Sequence, residues 1–426
     1  MAPILEQPVE SLDAIALEID RAHDLLSLAL TCQALYTLVY FRHLRFRVIS
    51  GRLEDWRLTD VWDMIARDKT LGRSVRVLDI HPLAFSDARF IIPLDENKNK
   101  KRPDKGPKKQ RAPKLNPYDA LAEIIVDHFI PALRNMSRLR SFSLEESSAL
   151  MFSTGDEYWG TLQIDSKALL PQMWEAVQSC SSLNRLLVDI SRQPDHSFFE
   201  TVRNENLTEF TWRSDGLADY LAFEGFLSRG LPRLQKLAIA IMNPLNSMSS
   251  WTSVLHRCHW PHLQLFEIGG QTAETFDPIA QFLIRHPLIE QLTYNLTTAL
   301  NEPNDLKFLP KLRALHVHVF YLVDVLSGVT STVLETVEVR DRRWDRSEKS
   351  TTLARITKAL KDHQSVAYLG VKPPIPIGDY RALVEVLPGL KSVNGVQYEQ
   401  DYDAFEKEIC LRFGEMPEAE LDDFFE

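Results

Sequence analysis

The segment LRALHV, residues 312–317, decides how this chain is read. Leu312 leads, two residues follow, and Leu315 and Val317 then alternate with His316. Period-two alternation marks a short strand with one buried face. The leading apolar residue would close the turn into the strand. The same template, apolar-x-x-apolar-x-apolar, appears as VRVLDI from Val75, LRSFSL from Leu139, LNRLLV from Leu183 and LTEFTW from Leu207. It continues as LQKLAI from Leu234, LQLFEI from Leu263, IEQLTY from Ile289, LETVEV from Leu334 and VAYLGV from Val366. LKSVNG from Leu390 is a weaker last copy. The pattern places Leu237, Ile239, Leu315 and Val317 in the core and leaves their neighbours outward.

From Leu183 onward most copies return after about 22 to 32 residues, near the leucine-rich-repeat period of roughly 20–29. Helical stretches lie between them. ALLPQMWEAVQSC (168–180) and TTLARITKALKDH (351–363) have apolar residues at helical spacing. DPIAQFLIRHP (277–287) adds Asp277 at its start and Pro287 beyond its end. Each unit is therefore helix, loop, strand, and only stacking buries its strand face. The pattern, from Val75 to Gly395, resembles an irregular form of the leucine-rich-repeat superfamily, without the regular Asn or Cys after the strand. That resemblance implies an α/β solenoid, with parallel strands on the concave side and helices on the convex side. The alternative is a general α/β domain with several parallel strands.

Composition bounds the rest. The chain has 426 residues, is 44% hydrophobic and carries a formal net charge of −10. It can bury a large core, and its acidity argues against nucleic acid as a partner. Cys32, Cys180, Cys258 and Cys410 lie too far apart for a metal or disulfide framework, and read as reduced thiols of a cytoplasmic or nuclear protein. No signal peptide and no apolar run of roughly 18 residues is present, so no membrane association is expected. Sequons at Asn135, Asn206 and Asn295 read as accidental. NKNKKRPDKGPKKQRAPK (97–114) is expected to be a disordered basic insert, either a plain solvated loop or a nuclear-localisation or polyanion-binding patch.

The amino terminus has a different pattern. QPVESLDAIALEIDRAHDLLSLALTCQALYTLV (7–39) opens with Pro8 and Glu10 at a helix start, followed by Leu12, Ile15 and Ile19 at helical spacing. Asp24 is expected to cap a second helix, on which Leu25, Leu28, Cys32 and Leu35 form a stripe widened by Leu26, Ala29 and Leu30. Two short helices cannot bury that much apolar surface between themselves. The stretch resembles the F-box: Pro8 and Glu10 match its opening, and Asp24, Leu25, Leu28 and Cys32 its second part. With RHLRFRVI (42–49) it is most similar to the F-box proteins expanded in mushroom-forming fungi.

The resemblance implies a substrate-recognition subunit of an SCF-type cullin–RING ubiquitin ligase. Pro8, Leu12, Ile15, Ile19, Leu25, Leu28, Ala29 and Cys32 would bind a Skp-type adaptor, and the repeats would bind a protein substrate of unknown identity. The implied division is an F-box-like helical domain at 1–50, a solenoid at 51–396, and a carboxy-terminal helix with an acidic tail at 397–426. Two alternatives remain: a helical cap over the first repeat, and a repeat scaffold that recruits no ligase. No catalytic residue, cofactor or metal is expected. There is no phosphate loop, no His-Glu-x-x-His and no nucleophile elbow. HRCHWPH, with His256, Cys258, His259 and His262, fits no usual zinc spacing. His316 and His318 share one side of a strand, open to solvent or a partner.

Overall fold

The computed structural model describes residues 7–19, 21–53, 55–81, 123–145, 166–190, 197–214, 220–229, 231–241, 251–271, 277–297, 306–340, 349–372, 377–398 and 401–413. The basic segment 97–114 and the acidic tail EMPEAELDDFFE (415–426) lie outside them. The chain divides into two compact units, Met1–Arg233 and Leu234–Glu426.

The first unit opens with helices α1 (Val9–Glu18), α2 (Ala22–Ala29) and α3 (Gln33–Val39), the last running into a π-turn at Tyr40–Leu44. Strand β1 (Val48–Gly51) follows, then α4 (Trp56–Arg67), α5 (Lys69–Ser74) and β2 (Val77–Ile80). Next come α6 (Ile130–Asn135), β3 (Ser141–Glu145), α7 (Ser166–Gln178), β4 (Arg185–Ile190), α8 (Ser197–Thr201), β5 (Glu209–Ser214) and α9 (Tyr220–Ser228). Strands β1 to β5 pair in sequence order, all parallel.

The second unit runs β6 (Lys236–Ile241), α10 (Trp251–Arg257), β7 (Leu265–Gln271), α11 (Asp277–Arg285), β8 (Gln291–Thr297) and β9 (Ala314–His318). It continues with α12 (Val319–Gly328), β10 (Thr336–Arg340), α13 (Lys349–Leu360), β11 (Tyr368–Lys372), α14 (Ile377–Val386), β12 (Ser392–Val393), β13 (Val396–Gln397) and α15 (Tyr402–Phe413). Strands β6 to β12 pair in order and parallel. Among the described strands only β13 turns back, antiparallel to β12. Asn394 and Gly395 between them both have positive φ, 50° and 77°, as a tight primed hairpin turn requires.

All eleven template segments are strands, each starting two residues after its leading apolar residue. Leu237, Ile239, Leu315 and Val317 are buried, as the alternation predicts. One strand escaped the reading. Phe46-Arg-Val-Ile49 is a further copy whose sixth position is Gly51, and it forms β1 across the boundary drawn at residue 50.

The turn before each strand repeats more faithfully than the strand itself. The leading N–H donates to the carbonyl three residues back: Leu139 to Met136, Leu183 to Cys180, Leu263 to Trp260, Ile289 to His286 and Val366 to His363. These acceptor residues are all buried. The carbonyl just after each leading residue then accepts two N–H groups from the next repeat. Arg140 O takes those of Asn184 and Arg185, and Glu290 O those of Arg313 and Ala314. The backbone of one repeat thus satisfies that of the next, which makes stacking obligatory. Leu315→Ala is expected to cost about 2–5 kcal/mol as a cavity in this stack, and His316→Ala far less. Urea unfolding of the two variants checks the register, because a reversed ranking would exchange the two faces.

His286 shows what the turn position demands. The ring is 2% exposed; Nδ1–H donates to Phe282 O at 2.7 Å, and Nε2 accepts from the Trp260 amide at 3.0 Å. Only the neutral tautomer makes both bonds. Burial pushes its pKa down to about 4, with further lowering from His259 and Arg285. Burial also lowers His363, at the same turn position, and His43. A histidine with a depressed folded-state pKa leaves stability intact above pH 6.5. Below that the unfolded chain takes up protons that the fold refuses. Between pH 6.5 and about 4, His286 alone is expected to remove about 3 kcal/mol. Urea midpoints across this range test it, and His286→Gln should flatten the slope.

Candidate functional site

The amino-terminal helices form a small core of their own. Ala16, Leu25, Ala29 and Val39 are its centre, with Ile19, Leu28, Tyr36 and Leu44 packed against it. Leu12, Leu35 and Leu38 make a second cluster, bordered by Leu28 and Cys32. Pro8 stands at the N-cap of α1 and Glu10 in its first turn, as expected.

Other expectations need correction. Residues 24–39 do not form one helix: α2 ends at Ala29, and Cys32 has extended backbone, φ −163°, as the N-cap of α3. Leu25, Leu28, Cys32 and Leu35 are therefore spread over two helices. Asp24 lies in the first turn of α2, and Arg21 holds the capping position.

The eight residues singled out for adaptor contact fall into three groups. Leu25 and Ala29 are fully enclosed and Leu12 nearly so, and they build the core of the cassette. Ile19, Leu28 and Cys32 are half-buried. Pro8 and Ile15 are exposed, Ile15 by 46%. The most exposed large apolar side chain among the described cassette residues is Leu30, at 70%, with Leu26 one helical turn earlier at 44%. Val9, Tyr40 and Phe41 are also exposed. Tyr36 and Tyr40 stack with ring centroids 5.1 Å apart, and Phe41 meets both rings edge-on. Leu26 and Leu30 were legible as apolar at i, i+4. Which side of α2 faced inward was not, because both sides are apolar.

The cassette is not separate from the repeats. Its first helix ends on carbonyls held by arginines from the repeat turns: Arg76 donates to Leu17 O at 2.9 Å, and Arg47 donates to Ile19 O. Arg138 donates to Leu17 O at 3.5 Å and pairs with Glu18 at 2.8 Å. Cationic groups at a helix carboxyl end satisfy its orphan carbonyls and oppose its dipole. Buried His43 ties the π-turn to α1 through Asp13, at 2.9 Å. The cassette is thus fastened at one end, and its Leu26–Leu30 side stays open.

The second candidate surface is the open side of the strands. In the first unit it carries Asp79, Glu145, Asp189 and Glu209 beside Arg185 and Arg213, and Arg185 and Glu209 pair at 3.6 Å. In the second unit His316 pairs with Glu338 at 3.2 Å, and Arg340 with Glu338 at 3.0 Å. His316 and His318 do share this open side, and both are partly exposed. Charged cross-strand pairs on a half-exposed sheet face can bind a protein partner through side chains. HRCHWPH is the turn that leads into β7: Cys258 and Trp260 are buried, while His256, His259 and His262 point outward. Asn135, in one of the sequons, donates its amide hydrogens to Ile65 O and Ala66 O, so its side chain belongs to the packing of α4.

The molecule is an α/β protein of stacked helix–strand repeats with a helical amino terminus. No protein-family model matches the chain, and no curated protein matches it. Among the described residues, no helix is long and apolar enough to cross a membrane.

Proposed function

We propose that this chain is a substrate-recognition subunit of an SCF-type cullin–RING ubiquitin ligase. Its amino-terminal cassette docks a Skp-type adaptor, and the open strand face binds a protein substrate. The F-box resemblance of residues 8–32 supplies the partner, and one observation carries the reading. A helical cap over a repeat stack needs a polar outer side. This cassette instead exposes Leu26, Leu30, Ile15 and the Tyr40–Phe41 pair. An apolar outer side is what a docking helix presents. Catalysis in this reading belongs to the assembled ligase: the subunit acts by raising the effective concentration of its substrate beside a ubiquitin-loaded enzyme. The arginine clamp on α1 suits that role, because it fastens the cassette to the first repeats of its own unit.

The test is titration of the purified full chain with a purified Skp-type adaptor, read by calorimetry. Saturable one-to-one binding supports the reading. Absence of binding leaves a repeat scaffold that recruits no ligase, and ends the F-box assignment.

A further inference from the structure

We propose that Asp79, His81 and Glu145 form a binding site for a divalent transition-metal cation on the open strand face of the first unit. Asp79 and His81 are two apart at the end of β2 and so share a side. Glu145 ends β3, and the pairing of Ile80 with Leu144 brings it level with His81. His81 Nδ1 lies 3.7 Å from Glu145 Oε2, and Nε2 lies 3.3 Å from Asp79 Oδ2. One donor atom from each residue can be chosen so that all three lie within 4.8 Å of one another. Among the described residues this is the one trio of His, Cys, Asp or Glu side chains so arranged.

The chemistry selects the class of ion. Zinc binds imidazole nitrogen and carboxylate oxygen at about 2.0–2.2 Å, so donors now within 4.8 Å of one another must draw closer to share one ion. One imidazole with two carboxylates favours Zn²⁺, Co²⁺, Mn²⁺ or Fe²⁺ over Mg²⁺ and Ca²⁺, which prefer oxygen alone. The two carboxylates balance the charge of a divalent ion. Ser50 on β1, in register with Asp79, places its Oγ 2.8 Å from His81 Nε2. With Nδ1 turned to the ion, Nε2–H donates to this hydroxyl, the kind of outer contact that fixes a ligating ring. The backbone is equally fixed, since His81 N donates to Gly51 O at 2.9 Å across the ladder. Three protein donors leave coordination positions for water or for a donor from a bound partner.

The competing account is an ordinary ion-pair network of the same three side chains, and metal titration separates the two. The full chain, with any affinity tag removed, is titrated with Co²⁺ by visible absorbance and with Zn²⁺ by calorimetry. One saturating equivalent is expected. Its affinity should fall at least tenfold in His81→Ala and in Glu145→Gln, and stay unchanged in His318→Ala. Glu145→Gln keeps shape and removes only charge, so it decides the matter if His81→Ala folds poorly. No saturable binding, or binding that persists in both variants, overturns the site.

Discussion

Replacing Leu26 and Leu30 together with Asp is expected to lower adaptor affinity at least a hundredfold while the chain stays folded. In the free protein both side chains already meet water, at 44% and 70% exposure, so new charge there costs the fold little. In a docked complex the same positions would be desolvated, and an unpaired buried carboxylate costs several kcal/mol. Each 1.4 kcal/mol is about tenfold in affinity. Leu25→Asp makes the contrast. Leu25 is fully enclosed among Ala16, Ala29 and Val39, so a charge there should melt the cassette whatever it binds. Calorimetric titration with the adaptor and circular dichroism on the same samples distinguish these outcomes. Full adaptor binding by the double variant would remove α2 from the interface. Loss of helix in the double variant would mean that Leu26 and Leu30 belong to a larger core.

Phe198→Ala is expected to cost about 3–5 kcal/mol, a large loss of stability for a single truncation. Phe198 sits in short helix α8 beneath β4 and β5. Its ring centroid lies 4.7 Å from that of Trp174, 4.8 Å from Trp212 and 5.0 Å from Phe199. Phe210 and Phe226 complete the shell, and every ring in it is buried. A helix of five residues has no stability of its own, since nucleation alone costs more than its few bonds return. The aromatic cluster therefore holds α8 in place. Truncating its centre should both open a cavity and release the helix. Urea unfolding of Phe198→Ala against the parent measures the loss. A cost below about 1 kcal/mol would mean that the neighbouring rings collapse into the space.

The strand positions were written in the sequence because a strand needs only local alternation and a buried leading residue. Leu312, Leu315 and Val317 state that rule without help from any distant residue, and the ten companion segments repeat it. The turn residues were half legible. Trp260, His286, Leu309 and Leu387 each precede a proline, but an indole, an imidazole and two leucine side chains have no one chemistry in common. Only the buried carbonyl that each presents to the leading N–H shows them to be equivalent. His286 and His363 were thereby overlooked: a histidine in sequence carries no sign that its ring will lie buried against a backbone carbonyl.

The cassette was legible as apolar helices. Its break at Thr31–Cys32 was not, because helical spacing continues through it, and tertiary packing decided that α3 would fold back on α1 and α2. The arginine clamp was invisible for a related reason. Arg47, Arg76 and Arg138 lie 28, 59 and 121 residues from the carbonyls they hold, and no periodicity links a side chain to a backbone group at such separations. The same holds for the proposed cation site, where Glu145 meets Asp79 and His81 across two strands. Local alternation fixes which residues face inward along each strand. Only the stacking of one repeat on the next decides which outward residues become neighbours, because that register is set by the backbone ladder and not by the side chains it brings together.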